Sequence, residues 1–403
     1  VRVVWLAAGY LGLLAAKAGL ALWAARRERQ VGVPCGVGPV DSGRPWSFLG
    51  REEGSGVEVG AGVAVAQAIL SGDPRLEEVL EANVLELPAA QFLWLVDEDD
   101  AEGQRVCRAL AARHAARRIE ILVLPPPGEG HNPKLHKLEL ARGTIREPVL
   151  LVLDDDTRMP AATLAALVRS LELAAVATSL PGYLDDGRWP SRLLAQFVDN
   201  NAALTYLPLL PFLPPLTLNG MAYALRRDLL DRLGGFAPLL GYLTDDLAVA
   251  ERTLAAGGRI AQSASPHWVE TTVRDGRHYV QLMHRWFLFA LLLLRKQPLR
   301  MRALIAVLDG LPPLLLLGLV VAAVLGPSRL SLGVLIATFA LRALALLALQ
   351  RRIYGRALHA PFTSLASELL QPLHLLHAVL WRRIVWRKRR YRVFDDRHFE
   401  ALG

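Results

Sequence analysis

Residues 3–25 are apolar apart from Lys17. A helix needs about 20 apolar residues to cross a bilayer core. In hydrocarbon every backbone N–H and C=O must be satisfied within the segment, which leaves helix as the only form for a single span. Arg26, Arg27 and Arg29 follow the run at once. A secretory signal carries its charge before the apolar run and a cleavage site after it. The reverse order here reads as an uncleaved anchor, residues 1–30, with its C-terminal side in the cytoplasm. Lys17 is expected to snorkel or to face another helix.

Two more runs of spanning length, 303–326 and 330–349, lie far downstream, interrupted by Asp309 and Arg342. A charge within a span faces protein or a polar cavity. The run 286–294 is too short to cross and is expected at the interface. Residues 362–380 carry Glu368, Gln371, Pro372, His374 and His377, which is too polar for a comfortable span. Basic clusters at 26–29, 295–302, 351–356 and the C-terminal tail all fall on one side if the chain crosses three times. That places 303–350 as two transmembrane helices, and 351–403 as a re-entrant or interfacial helix followed by a basic cytoplasmic tail. With 53% hydrophobic and 21% charged residues, the chain is neither wholly soluble nor a pure membrane bundle. The net charge is +8, and residues 382–397 alone hold eight Arg/Lys against two Asp. That placement suits anionic lipid headgroups and argues against nucleic acid as a partner. Cys35 and Cys107 form no CxxC or Cys/His cluster, so structural zinc and a disulfide framework lack support. The two are read as unpaired thiols, with a single bridge between them left open.

Between these regions the pattern changes. Residues 31–56 are rich in Gly, Pro and Ser and read as a linker. From residue 57 to about 275, short apolar runs (62–66, 92–96, 119–124, 148–153, 174–180) alternate with helix-like stretches (75–85, 102–113, 134–142, 161–173). That alternation implies βαβ units and a mostly parallel sheet, whose ligands bind beyond the carboxyl ends of the strands. Acidic groups stand at those places.

Asp154-Asp155-Asp156 directly follows the run 149–153. Like charges this close raise one another's pKa, and a divalent cation relieves the repulsion. Mg²⁺ and Mn²⁺ take carboxylate oxygens and bridge to phosphates, so the motif reads as a metal–diphosphate site or, more plainly, as a solvated loop or helix cap. Asp245-Asp246 opens the helix-like run 247–256. It reads either as a cap or as a general base for an attacking hydroxyl. Asp97-Glu98-Asp99-Asp100 follows the run 92–96 and by itself reads as a polar loop. Asn132-Pro133-Lys134 begins a helix with proline in its first turn, where a lysine can meet a phosphate. Gln281, Arg285 and Trp286 adjoin the membrane-proximal run. The Arg–Trp pair is either an interfacial anchor or a diphosphate contact beside one wall of an acceptor pocket.

In this order the motifs resemble the inverting family 2 glycosyltransferases, and within them the ceramide glucosyltransferase branch, family 21, with hopanoid-associated bacterial members nearby. The likeness covers residues 57–286 and continues into the tail, where Trp386-Arg-Lys-Arg-Arg-Tyr391-Arg392 looks like that branch's C-terminal signature. The resemblance implies a GT-A catalytic domain, α/β with a Rossmann-like, mostly parallel sheet, between the N-terminal anchor and the C-terminal helices. It implies that Asp97 and Lys134 contact the nucleotide-sugar, and that Asp154 and Asp156 hold Mg²⁺ or Mn²⁺ on its diphosphate. It makes Asp246 the base, beside Asp245. It assigns Gln281, Arg285 and Trp286, in the 276–302 segment with the interfacial helix, to the diphosphate and acceptor. Residues 67–72 depart from the family's usual Lys-Pro-Leu-like segment, and the full DxD motif departs from the degenerate one frequent in ceramide-type members. The expectation is therefore an integral membrane hexosyltransferase of a bacterial inner membrane, with its catalytic domain cytoplasmic. It would move a sugar from a UDP-linked donor to a lipid hydroxyl. A processive polysaccharide synthase and a non-enzymatic membrane scaffold are the alternatives.

Overall fold

The structure is a computed structural model that describes residues 2–32, 34, 59–386 and 389–402. Most of the expected 31–56 linker, with Cys35, lies outside the described residues; Cys107 is buried as a free thiol. The chain forms two compact units. One comprises Val1–Ala24, Asp185–Pro208 and Val273–Gly403, and the other Ala25–Leu184 and Leu209–Thr272. Helix α1 (Arg2–Val31) contributes to both.

The second unit is built on βα alternation. It runs β1 (Val63–Ile69), α2 (Leu76–Glu86), β2 (Gln91–Asp97), α3 (Ala101–Arg113), β3 (Arg118–Leu124), α4 (Pro133–Ala141) and β4 (Val149–Leu153). Then come β5 (Thr157–Arg158), α5 (Ala161–Ser170) and β6 (Val176–Tyr183). Helix α6 (Trp189–Tyr206) belongs to the other unit, and the chain returns with β7 (Ala222–Arg226), α7 (Arg227–Arg232), α8 (Asp245–Ala255) and β8 (Ile260–Val269). The strands form one sheet in the order β3-β2-β1-β4-β7-β6-β8-β5. β1 runs parallel to β2 and β4, and β2 to β3. β7 is antiparallel to both β4 and β6, while β6 and β8 are parallel. This is the GT-A arrangement, a parallel half extended by a mixed half.

The central strands read as unbroken apolar runs because both faces of the sheet are covered. Strand periodicity divides them between two cores. Val63, Val65, Trp94, Val96, Leu151 and Leu153 pack with Leu80, Leu110 and Leu167 from α2, α3 and α5. Ala64, Ala66, Leu93, Leu95, Leu150 and Val152 pack with Leu135, Leu138, Leu229 and Val249 from α4, α7 and α8. The small residues of β1 admit the helices of the second face close to the sheet, and α4 brings Lys137, in its second turn, to the carboxyl ends of β1 and β2.

The other unit is helical. It contains α9 (Gly276–Lys296), α10 (Leu299–Ile305), a π turn at Ala306–Gly310, α11 (Leu311–Leu325), α12 (Arg329–Ile353) and α13 (Pro361–Leu380). β9 (Arg383–Trp386), β10 (Arg389–Val393) and β11 (Phe399–Leu402) follow as an antiparallel sheet, so the described part of the basic tail is folded. The run 286–294 is not a separate element; it continues the helix that carries Gln281, Arg285 and Trp286. Among the described residues three helical segments are long and apolar enough to cross a membrane: Arg2–Val31, Leu299–Leu325 and Arg329–Ile353. The charges that interrupt their apolar runs, Lys17, Asp309 and Arg342, are paired. Lys17 Nζ lies 2.7 Å from Asp309 Oδ1 and also donates to Leu308 O at 2.7 Å. That carbonyl would ordinarily accept from residue 312, which is a proline without an N–H, and the π turn falls at this interruption. Arg342 is buried and lies 2.7 Å from Glu368 of α13, whose carboxylate also accepts from Tyr10 at 3.0 Å. The buried stripe of α13 is Ser364, Ser367, Gln371, His374 and Ala378, whereas Phe362, Leu373, Leu376 and Leu380 are exposed. A helix polar inward and apolar outward is built for an apolar medium.

Candidate active site

The site lies in the GT-A unit, at the carboxyl ends of β1, β2 and β4. Asn132 fixes its frame. Its side-chain oxygen caps α4 by accepting from the backbone N–H of Lys134 and Leu135 at 3.0 and 3.2 Å. Its amide donates to Leu243 O at 3.0 Å and Tyr242 O at 3.2 Å. One side chain thus ties the start of α4 to the loop that delivers Asp245 and Asp246. Asn132, Pro133 and Lys134 together set the cap, the first-turn φ and the functional side chain.

Lys134 Nζ sits 2.7 Å from Asp154 Oδ1, 2.9 Å from Asp245 Oδ2 and 2.6 Å from the carbonyl of Gly220. Burial by itself would push the ammonium toward neutrality, but Asp154 and Asp245 hold its pKa well above the ordinary lysine value. The DxD motif and the Asp-Asp pair, 91 residues apart in numbering (154 to 245), are joined through this one cation. One turn further along α4, buried Lys137 lies 3.0 Å from Asp97 Oδ2 and donates to Ile69 O at 2.8 Å. Asp97 Oδ1 is buried and has no hydrogen-bond partner among the described residues. Three positions apart on a helix, the two lysines share a face.

The remaining acids are engaged by the backbone and hydroxyls around them. Asp155 turns back to accept from Leu70 N at 2.8 Å. Asp156 accepts from Thr157 Oγ1 at 3.2 Å and from the Thr271 hydroxyl. Asp100 caps α3 through Gly103 N and also accepts from Ser71 N at 2.7 Å; burial opposes its charge, but these bonds keep its pKa below the usual carboxylate value. Residues 67–72, where the family pattern departs, therefore hold the acids in place. Thr244 occupies the N-cap position of α8 without a side-chain cap bond, and Asp245 and Asp246 lie in the first turn. Capping therefore does not account for Asp245, which pairs with Lys134 instead. Gly220 packs against Asp246: a Cβ there would meet Asp246 Cβ at 3.1 Å. Tyr223 is buried beneath Lys134, whose Nζ is 5.9 Å from the ring centre. Its hydroxyl has no hydrogen-bond partner among the described residues, and burial together with Asp245 raises its pKa. His267 on β8 is buried and exchanges a hydrogen bond with Ser179 at 2.7 Å; burial pushes its pKa down to about 3 against the pull of Asp154.

The sequence points to Lys134, Asp97, Asp154, Asp156, Asp245 and Asp246, and the structure puts them in one unit. It does not single out Lys137 or Tyr223: helical spacing from Lys134 is a usable signal for Lys137, and Tyr223 carries none. Gln281, Arg285 and Trp286 lie on α9 of the helical unit, where Trp286 stacks on Phe197 with ring centres 6.2 Å apart. Among the described residues no group of three or more His, Cys, Asp or Glu is arranged to hold a metal ion. With Asp154 paired to Lys134 and Asp156 bound by two threonines, the protein's own groups do not fit a metal site in this arrangement.

The structure is similar to the mannosyltransferase PcManGT from Pyrobaculum calidifontis in complex with GDP-Man and Mn²⁺, at 19% identity over 93% of this chain and 98% of that one, with a TM-score of 0.48. It is also similar to S. aureus TarS 1-349 in complex with UDP-GlcNAc, at 12% identity over 85% of this chain and 99% of that one, with a TM-score of 0.36. In sequence, 209 residues are 27% identical to Ceramide glucosyltransferase 1 of Caenorhabditis elegans, covering 51% of this chain and 44% of that relative, so the match spans under half of the relative's length. The family model for glycosyl transferase family 21 matches residues 48–399. A match over most of the 403 residues, around an acidic site at the strand ends of the sheet, shows that this chain belongs to glycosyl transferase family 21.

Proposed function

We propose that this protein is an inverting glycosyltransferase that moves one sugar from a UDP-linked nucleotide-sugar to a hydroxyl of a membrane lipid, in the manner of a ceramide glucosyltransferase. The observation that carries the reading is the joining of Asp154 and Asp245 through Lys134. It sets a cation suited to a diphosphate beside the carboxylate pair suited to a base. In this reading Asp97, with its unpartnered Oδ1, accepts from the nucleoside, and Lys134 offsets the charge that develops on the departing diphosphate. Asp246 takes the proton of the acceptor hydroxyl. The acceptor oxygen then bonds to the anomeric carbon from the face opposite the diphosphate, and the carbon–oxygen bond to the diphosphate breaks with its electron pair leaving on the nucleotide. One displacement inverts the anomeric centre. Mg²⁺ or Mn²⁺ is the cofactor expected of a DxD motif. Gln281, Arg285 and Trp286 serve the diphosphate and the acceptor.

The three apolar segments and the paired charges within them support an integral membrane enzyme. The basic clusters support a cytoplasmic catalytic unit, in a bacterial inner membrane. The test is a panel of nucleotide-sugars offered to the purified full chain with membrane lipid extract, read by mass spectrometry. A single hexose added to a lipid from a UDP-linked donor is the expected result. A ladder of additions would favour a processive synthase, and no transfer from any donor by folded protein would refute the reading.

A further inference from the structure

The metal-binding motif and the absence of a protein-built metal cluster among the described residues disagree, and Lys134 stands at the point of disagreement. Its ammonium is met by three oxygens from three separate segments: Asp154 at the end of β4, Gly220 before β7 and Asp245 at the start of α8. Three acceptors saturate the three N–H donors of an ammonium. Two carboxylates and a carbonyl are also the oxygen types that a hard divalent ion selects. The lysine therefore occupies the donor set that a metal on Asp154 would need.

This is a built position. The backbone of Lys134 is held by the Asn132 cap, and Asn132 is itself bonded to Leu240, Tyr242 and Leu243. The side chain is 13% exposed. Lys137, on the same face of α4, stands in the same relation to Asp97 and the Ile69 carbonyl. The helix thus supplies one internal cation to each of two acidic strand ends.

We propose that Lys134 is the resident cation of this site. In the ligand-free protein it neutralises Asp154 and Asp245 and so keeps a free divalent ion off the Asp154-Asp155-Asp156 motif. The inference rests on reading the site as one for a nucleotide-sugar, whose diphosphate offers Lys134 another anionic partner and so releases Asp154. Lys134 thereby sets the order in which ligands enter before it meets the diphosphate itself.

The test uses the full chain in detergent and Mn²⁺ alone, with bound ion read by loss of the free Mn²⁺ signal in electron paramagnetic resonance. Wild-type protein and Lys134→Arg are expected to show no saturable binding. Lys134→Met is expected to bind Mn²⁺ saturably, at least about tenfold more tightly than the weakest binding the titration resolves. Adding Asp154→Asn to Lys134→Met should remove the gain. Wild-type binding as tight as that of Lys134→Met, or no gain in folded Lys134→Met, would overturn the proposal. If Lys134→Met does not fold, the wild type decides: saturable Mn²⁺ binding that Asp154→Asn abolishes overturns it, and its absence in a folded protein supports it. UDP binding, followed separately by calorimetry, bears on the proposed function and not on this outcome.

Discussion

Lys137→Met removes the only side chain that an ion pair joins to Asp97 among the described residues. The two groups are 3.0 Å apart, with side-chain exposures of 4% and 17%. At an effective dielectric constant of about 20, unit charges at that distance attract by about 5.5 kcal/mol gross. Desolvation offsets part of this in the intact pair. Deleting one partner does not recover that cost, because Asp97 stays largely out of water with its charge uncompensated; such deletions typically cost about 3–5 kcal/mol. The Ile69 carbonyl also loses its donor. For a domain of this size each kcal/mol moves the melting temperature by about 2–4 °C, so a fall of roughly 10 °C is expected. The assay is thermal unfolding of the purified full chain in detergent, run as a double-mutant cycle with Asp97→Asn. Neutralising Asp97 in the Lys137→Met background should restore part of the loss, with a coupling of about 2 kcal/mol. Equal destabilisation of Lys137→Met and the double variant would show that Lys137 acts through packing and not through charge.

Asp246→Asn should abolish sugar transfer while leaving donor binding within about twofold by calorimetry, since the loss falls on proton transfer and not on the diphosphate contacts; normal turnover would remove Asp246 as the base. In the helical unit, Arg342→Met strands Glu368 and should destabilise by about 3 kcal/mol, while Arg342→Met with Glu368→Met should recover most of it; failure of the double variant to recover in a melt would refute the pairing argument. His267 is held neutral by burial, its pKa falling from 6.5 to about 3. The unfolded chain therefore binds a proton between these values that the folded protein refuses. The stability that depends on the neutral ring is complete above about pH 6.5 and is lost as pH falls toward 3, at up to about 1.4 kcal/mol per unit. His267→Gln should flatten that part of the acid-stability curve, and an unchanged slope would rule the ring out as its source.

Much of the fold was legible because it follows from short-range rules. Buried parallel strands read as unbroken apolar runs, so residues 92–96 and 149–153 announced themselves and became β2 and β4 with small changes at the ends. Acid runs directly after such strands pointed to the ligand edge of the sheet. The folded tail was less visible: strongly basic residues suggested a solvated segment, yet Ile384, Tyr391 and Val393 are buried as β9 and β10 pair. Alternation with arginine concealed a half-buried strand of very short length. Helix α6 was equally hidden. It lies between two strands of the sheet in sequence, yet it belongs to the helical unit, through contacts such as Asn200 with Ser364.

By itself the sequence determined the class of the molecule. Spanning length, the position of charge around each apolar run and the alternation of strand and helix are local properties, written in consecutive residues. Which charges neutralise which was decided only by the tertiary structure. Lys17 with Asp309, Arg342 with Glu368, and Lys134 with both Asp154 and Asp245 are partners far apart in the chain. Coulomb energy depends on distance and burial in space, and neither quantity has a counterpart in sequence spacing. Asp154, first of the acidic motif that the sequence offers to a cation, is once folded paired with a lysine of its own chain.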